Sequence, residues 1–125
     1  MNSLIVFTTE DAWHPTKWFK AMDASESDTG QFVVERTGSW ISLLKRDDLF
    51  YDYDDNEKQT VQSLLEVSKS YLVEWKGDVL LDSFIKAFPP SGNVVIDNDH
   101  GLICSILEVQ KSPICRWIRE PMLVS

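Results

Sequence analysis

Residues 31–53 read QFVVERTGSWISLLKRDDLFYDY, and this stretch contains three short runs rich in β-branched, aromatic and other apolar residues. Tight turns separate the runs, one at Gly38 and one at residues 46–48. Connections this short join strands that are antiparallel neighbours. The stretch therefore predicts an antiparallel meander, whose three strands are Gln31 to Arg36, Ser39 to Lys45 and Leu49 to Tyr53.

The rest of the chain contains further strand and helix signals. Apolar or alternating runs predict strands at Leu4 to Thr8, Tyr71 to Lys76, Asn93 to Ile96 and Leu102 to Ile106. Capping residues or a first-turn proline, followed by an apolar stripe, predict helices that begin near Pro15, Asp54, Asp78 and Pro113. The predicted class is α+β, with a single mixed, largely antiparallel sheet of roughly five to seven strands and three or four packed helices.

Two local patterns make more specific predictions. Asp54 and Glu57 have the spacing of a capping box, so the second helix should begin after Asp54. In the third predicted strand, alternation places Leu49, Tyr51 and Tyr53 on one face, which we expect to pack on the core. The opposite face would then carry Asp48, Phe50, Asp52 and Asp54.

The length and composition predict one globular domain, residues 1–125. A chain of this size can bury a core without disulfide staples, and 43% hydrophobic residues with five tryptophans argue against disorder. The start of the chain lacks the basic and long apolar regions of a signal peptide, and no apolar run is long enough to span a bilayer. We therefore expect a cytoplasmic protein in which Cys104 and Cys115 are reduced.

The formal net charge of −8 restricts the classes of partner. Direct binding to nucleic acid or to an anionic membrane is not expected, because both are also negative. The sequence has no phosphate-binding glycine loop, no G-x-S-x-G motif and no His-Glu-x-x-His motif. Its cysteines and histidines are not spaced as zinc ligands. We therefore expect neither enzyme activity nor a cofactor or metal site.

Residues 47–57, called the acidic segment below, read DDLFYDYDDNE and contain six carboxylates, three aromatic side chains and no base. The negative charge of the chain is thus concentrated in this segment. Carboxylates steer a cationic partner, and exposed aromatic side chains can anchor it. The predicted partner-binding residues are Asp47, Asp48, Phe50, Tyr51, Asp52, Tyr53, Asp54, Asp55 and Glu57.

The acidic segment also has structural interpretations, which are compatible with partner binding. Charged residues protect the edge of a sheet from aggregation, Asp54 and Glu57 can cap a helix, and Tyr51 and Tyr53 can pack inward. Calcium coordination is a further alternative. The segment lacks the glycine and the distant bidentate glutamate of an EF-hand loop, so we do not expect a metal here.

The loop from Asp97 to Gly101 is the second candidate region. Asn, Asp and Gly suit a tight chain reversal, because they tolerate positive φ and can bond their own backbone. A histidine between carboxylates could instead act as a general base, which leaves a small enzyme or ligand-binding domain as the alternative function. Cys104 follows inside an apolar strand, where a thiol is usually inert. Secondary partner contacts are predicted at Asp97, Asp99 and His100.

The chain resembles the small acidic immunity proteins of bacterial toxin–immunity pairs, especially those of contact-dependent growth inhibition and other polymorphic toxins. The resemblance is carried by the small α+β domain, the acidic segment, and the stretch from Val94 to Cys104 followed by residues 113–118. It implies a monomeric, non-enzymatic inhibitor that forms a one-to-one complex with a cognate toxin. The implied toxin domain is basic and of the nuclease type, and blockade is stoichiometric.

Overall fold

The computed structural model describes residues 2–9, 14–46, 48–67, 69–89, 93–112 and 117–118. Within these residues seven strands form one sheet, in the order β2-β3-β4-β5-β1-β6-β7, and every neighbouring pair is antiparallel. The strands are β1 (Asn2–Thr8), β2 (Ser25–Glu26), β3 (Phe32–Arg36), β4 (Ser39–Lys45), β5 (Lys69–Lys76), β6 (Val94–Asp97) and β7 (Ile103–Ser105). The α+β class and the antiparallel sheet expected from the sequence are confirmed.

The first two strands of the predicted meander are present as β3 and β4. The turn between them contains Gly38 with φ of 76°, a backbone conformation that glycine adopts without steric cost. The predicted third strand is wrong, because Leu49–Asp52 forms a single 3₁₀ turn, η1. The neighbour of β4 is instead β5, an eight-residue strand with alternating burial that also pairs with β1.

The main core lies between one face of the sheet and three helices. These helices are α1 (Thr16–Ala21), α3 (Asp78–Ala87) and α4 (Ile106–Gln110). Phe84 of α3 is fully buried, and its ring lies 5.5 Å from that of Phe19 and 5.3 Å from that of Trp18 in α1. The apolar stripe predicted for α3 is confirmed. Asp78 is its first residue rather than its cap, because Gly77, with φ of 87°, occupies the N-cap position.

The opposite face of the sheet is partly covered by η1 and by helix α2 (Asp55–Leu64). Val61 and Leu65, four residues apart, pack with Phe7 of β1 and Val95 of β6 in a second, smaller core. The predicted capping box is confirmed, because Asp54 Oδ1 accepts the N–H of Glu57 and Glu57 Oε1 accepts the N–H of Asp54. Helix α2 therefore begins at a fixed point above β1 and β6.

The last two strands form the predicted hairpin, and β7 is shorter than expected. Ser105 ends β7 because its side chain accepts the N–H of Leu107 and caps α4, so Ile106 begins a helix instead of ending a strand. Pro113 and Cys115 lie outside the described residues, and of the helix predicted there only residues 117 and 118 are described. Trp117 and Ile118 belong to the main core. No helix in the described part of the chain is both long and apolar enough to cross a bilayer.

Candidate functional site

The two regions singled out in the sequence lie side by side. In the sheet, Asp97 pairs with Ile5 of β1 and Ile103 of β7, so its side chain shares their face. Helix α2 and η1 cover this same face. The hydroxyl of Tyr53, from the acidic segment, donates a hydrogen bond to Asp97 Oδ2 across a sequence separation of 44 residues. The acidic segment and the 97–101 loop therefore lie next to each other on this face of the sheet.

Aromatic packing positions the Tyr53 hydroxyl. The ring of Tyr53 contacts Phe7 edge-on, with ring centroids 5.5 Å apart, and the ring of Phe50 contacts Phe7 at 5.9 Å. Phe50 and Tyr53 are three residues apart, and side chains at this spacing lie above one another in a 3₁₀ turn. Tyr51 lies between them and is 75% exposed. The predicted inward packing is thus correct for Tyr53 and wrong for Tyr51, and Phe50 packs inward instead of facing outward.

Asp97 is a buried carboxylate with two hydrogen bonds. Its side chain is only 6% exposed, its Oδ2 accepts the hydroxyl of Tyr53, and its Oδ1 accepts the N–H of Asp99 at 2.8 Å. A buried charge needs such partners because desolvation is costly. Burial nevertheless raises the pKa of Asp97 above its usual value, and the charge of Asp99 raises it further, while the two hydrogen bonds act in the opposite direction.

The charged side chains that act on Tyr53 and Asp97 make the electrostatic potential around them negative. The pKa of Tyr53 is raised by burial, by its hydrogen bond to Asp97, and by the charges of Asp97, Glu57 and Asp99. The charged side chains that shift these two pKa values are all carboxylates. The Tyr53 hydroxyl therefore stays protonated and continues to donate to Asp97.

Asn98 holds the 97–101 loop in shape. Its side chain is buried, its Oδ1 accepts the N–H groups of His100 and Leu102, and its Nδ2 donates to the carbonyl of Trp117 at 2.6 Å. Asp99 has φ of 62°, a left-handed conformation that aspartate tolerates better than most residues. Sequence reasoning missed Asn98, although a side chain that bonds backbone groups two and four residues ahead is a known turn signal.

A groove of about 500 Å³ separates α2 from this loop and the start of β7. Its described lining residues include three carboxylates and no base; they are Asn56, Glu57, Thr60, Asp97, Asp99, Gly101, Leu102 and Ile103. Glu57 lies one helical turn before the buried Val61, on the same side of α2. Leu102 and Ile103 supply apolar area within the groove.

Of the predicted contact residues, Glu57, Asp97 and Asp99 line the groove. Asp52, Asp54, Asp55 and His100 are exposed and are not among its lining residues. Asp48 is also exposed, but Arg46 Nη2 lies 2.7 Å from its Oδ2 and lowers its pKa. This ion pair reduces the negative charge that Asp48 presents to a partner. Asp47 lies outside the described residues.

The residues that would supply chemistry for the alternative function are not brought together in the groove. Asp99 and Gly101 line the groove, while His100 between them is exposed and is not among its lining residues. Burial and the charge of Glu108 raise the pKa of the Cys104 thiol to about 11, so it stays protonated at neutral pH. Among the described residues, no three His, Cys, Asp or Glu side chains are grouped so that they could hold a metal ion.

A scan against models of protein families, a search of curated proteins and a search of solved structures each found no match to this chain.

Proposed function

We propose that the protein is an immunity-type inhibitor that binds a basic toxin domain one to one and blocks it. The observation that best supports this proposal is the convergence of the acidic segment and the 97–101 loop on one groove, whose described lining residues include no base. A concave surface with one sign of charge is complementary to a protruding cationic surface.

The negative charge would act mainly on the rate of association. A nuclease cleft is positive because its substrate is a polyanion, and a negative protein surface can occupy that cleft or a site next to it. Charges on the two surfaces attract each other over about 8–10 Å at physiological salt. Exposed side chains such as Asp52, Asp55 and Glu57 would therefore speed the encounter, which matters because free toxin causes damage until it is bound.

Tyr51 is the best candidate for an anchor that holds the complex. It is 75% exposed, and its ring lies 6.2 Å from the ring of Phe50, which packs against Phe7. Large aromatic side chains on a rigid base contribute strongly to interfaces, because little conformational entropy is lost on binding. The bond from Tyr53 to Asp97 and the loop bonds of Asn98 hold the rest of the surface in place before a partner arrives.

The test begins by identifying the gene immediately upstream. If that gene encodes a large secreted protein with a variable C-terminal domain, this domain is the candidate toxin, and an upstream gene of any other kind counts against the proposal. This domain is expressed in a bacterial host with the wild-type chain or with a Glu57→Lys/Asp99→Lys variant. We expect the wild type to restore growth and to co-purify with the toxin domain one to one, and the variant to do neither. Equal protection by the two chains, or no complex with the wild type, would contradict the proposal.

A matched control places the same charge change elsewhere. Glu26 and Asp28 are exposed in and just after β2, at the opposite edge of the sheet from β7. A Glu26→Lys/Asp28→Lys variant has the same net charge as the groove variant. We expect it to protect as well as the wild type. When circular dichroism shows that both variants are folded, a loss of protection in the groove variant reports position rather than total charge or unfolding.

A small ligand-binding domain is the second candidate function, and the groove is the observation that favours it. Its volume of about 500 Å³ lies within the range of about 300–1,000 Å³ that is typical of small-molecule sites. Under this alternative, a panel of small metabolites should contain one that raises the melting temperature of the wild type and not of Asp99→Asn, which changes a residue that lines the groove. A panel that leaves both proteins unchanged would remove support for this candidate.

A further inference from the structure

The groove is lined by exposed carboxylates and by apolar side chains. Glu57 projects from α2, and Asp99 projects from the 97–101 loop. Leu102 and Ile103 contribute apolar lining, while Asn56 and Thr60 add polar atoms. A ligand that fits this lining has a cationic, multiply donating head and an apolar stem.

Both exposed carboxylates are held in place and keep an oxygen for a ligand. Glu57 Oε1 accepts the N–H of Asp54 at 3.3 Å, and Asp99 Oδ2 accepts the hydroxyl of Ser3 at 3.0 Å. Each bond uses one of the two oxygens. Asp97 differs, because both of its oxygens are already bonded, so it contributes negative charge and no new acceptor at the front of the groove.

We propose that the groove receives an arginine side chain of the partner, an inference that rests on the partner-binding function proposed above. Glu57 and Asp99 line the same groove. The planar guanidinium has five N–H donors in a fork and can bond more than one carboxylate at once, whereas a lysine ammonium is a single point charge. Its three methylenes would lie along Leu102 and Ile103. The buried charge of Asp97 adds to the attraction at the base of the groove.

The test titrates the 125-residue chain with an acetylated and amidated Gly-Arg-Gly peptide and follows the backbone amides by NMR. The reference peptide contains citrulline, which has nearly the shape of arginine and no charge. We expect the arginine peptide to shift the amides of Glu57, Asp99 and Gly101, and the citrulline peptide to bind at least about tenfold more weakly. Equal shifts with the two peptides would overturn the inference.

Conservative variants distinguish the contribution of the groove to peptide binding from that of the rest of the acidic segment. Glu57→Gln keeps a capping-box residue, and Asp99→Asn keeps a residue that tolerates positive φ, so neither change should disturb the fold. We expect the double variant to weaken the arginine peptide about tenfold, and the control Asp52→Asn, outside the groove, to leave it unchanged. Equal weakening by the control would indicate general charge attraction and would overturn the inference.

The peptide titration and the growth assay can fail separately. If the toxin is neutralised but the arginine peptide does not bind in the groove, the partner-binding function stands and the arginine inference is wrong. If the peptide binds in the groove but no toxin is neutralised, the toxin-neutralising function is wrong, and what stands is only that the groove binds an arginine side chain.

Discussion

The Tyr53 hydroxyl donates a hydrogen bond to Asp97 Oδ2, and this bond joins the acidic segment to the 97–101 loop. Tyr53 reaches that position because its ring packs edge-on against Phe7 of the central strand β1. The buried carboxylate has one further hydrogen bond, from the N–H of Asp99. The pair therefore links the stability of η1 and α2 to the shape of the candidate groove.

Removing the Tyr53 hydroxyl should destabilise the protein. In Tyr53→Phe the ring still packs on Phe7, but buried Asp97 loses one of its two hydrogen bonds. A buried acceptor without its partner costs about 1–3 kcal/mol, so the free energy of unfolding measured with urea should fall by that amount. Tyr51→Phe is the matched control, because Tyr51 is exposed, and it should change the value by less than about 0.5 kcal/mol. Equal effects of the two variants would contradict this role.

The raised pKa of Asp97 predicts a specific dependence of stability on pH. A carboxylate whose pKa is higher in the folded than in the unfolded state favours folding when it is protonated. Burying the charged form of Asp97 therefore lowers the free energy of unfolding by its full amount at a pH above the folded-state pKa. This loss is relieved as the pH falls from that pKa toward the ordinary value of 3.8. Asp97→Asn removes this titration and keeps an acceptor for the N–H of Asp99.

The measurement compares urea unfolding of the wild type and of Asp97→Asn as the pH is lowered. We expect the wild type to gain stability relative to the variant on acidification. Contributions from other carboxylates, such as Asp48 paired with Arg46, occur in both proteins and cancel in the difference. The difference in free energy of unfolding between the two proteins could instead stay constant with pH or change in favour of the variant. Either result would show that burial does not dominate the pKa of Asp97.

Asn98 should be essential for the shape of the 97–101 loop. Asn98→Ala leaves the N–H groups of His100 and Leu102 without their acceptor, and we expect a loss of about 1–3 kcal/mol in the free energy of unfolding. Hydrogen exchange of these two amides should also accelerate more than exchange in β4. Asn56→Ala, an exposed change in α2, serves as the control and should have little effect. Unchanged exchange in the loop would refute the role of Asn98.

Charge reversal in the acidic segment should slow association with the toxin domain. For Asp52→Lys/Asp55→Lys we expect an association rate at least about tenfold lower at low salt, with a flatter salt dependence. Asp48→Lys should have a smaller effect, because Asp48 is already paired with Arg46. Stopped-flow measurements at several salt concentrations test both statements. Rates that do not change in the double variant would exclude the segment as the steering surface.

Local features of the fold were predictable because their causes lie within a few residues. The turn at Gly38, the capping box of Asp54 and Glu57, and the reversal at residues 97–101 each depend on side chains next to the backbone groups that they satisfy. The prediction of a third strand in the meander was wrong for a different reason. An alternating pattern in a run only five residues long also fits a 3₁₀ turn, and β5 offers β4 a longer partner.

The amino-acid sequence alone determined the α+β class, the starts of α1 and α2, the hairpin loop and the concentration of negative charge. Only the tertiary structure decided that β5 lies between β4 and β1, that Tyr51 faces solvent while Phe50 and Tyr53 face Phe7, and that Tyr53 meets Asp97. These outcomes depend on which distant segments compete best for a place in the sheet. Local periodicity carries no information about that competition, because the contacts that settle it join residues far apart in the chain.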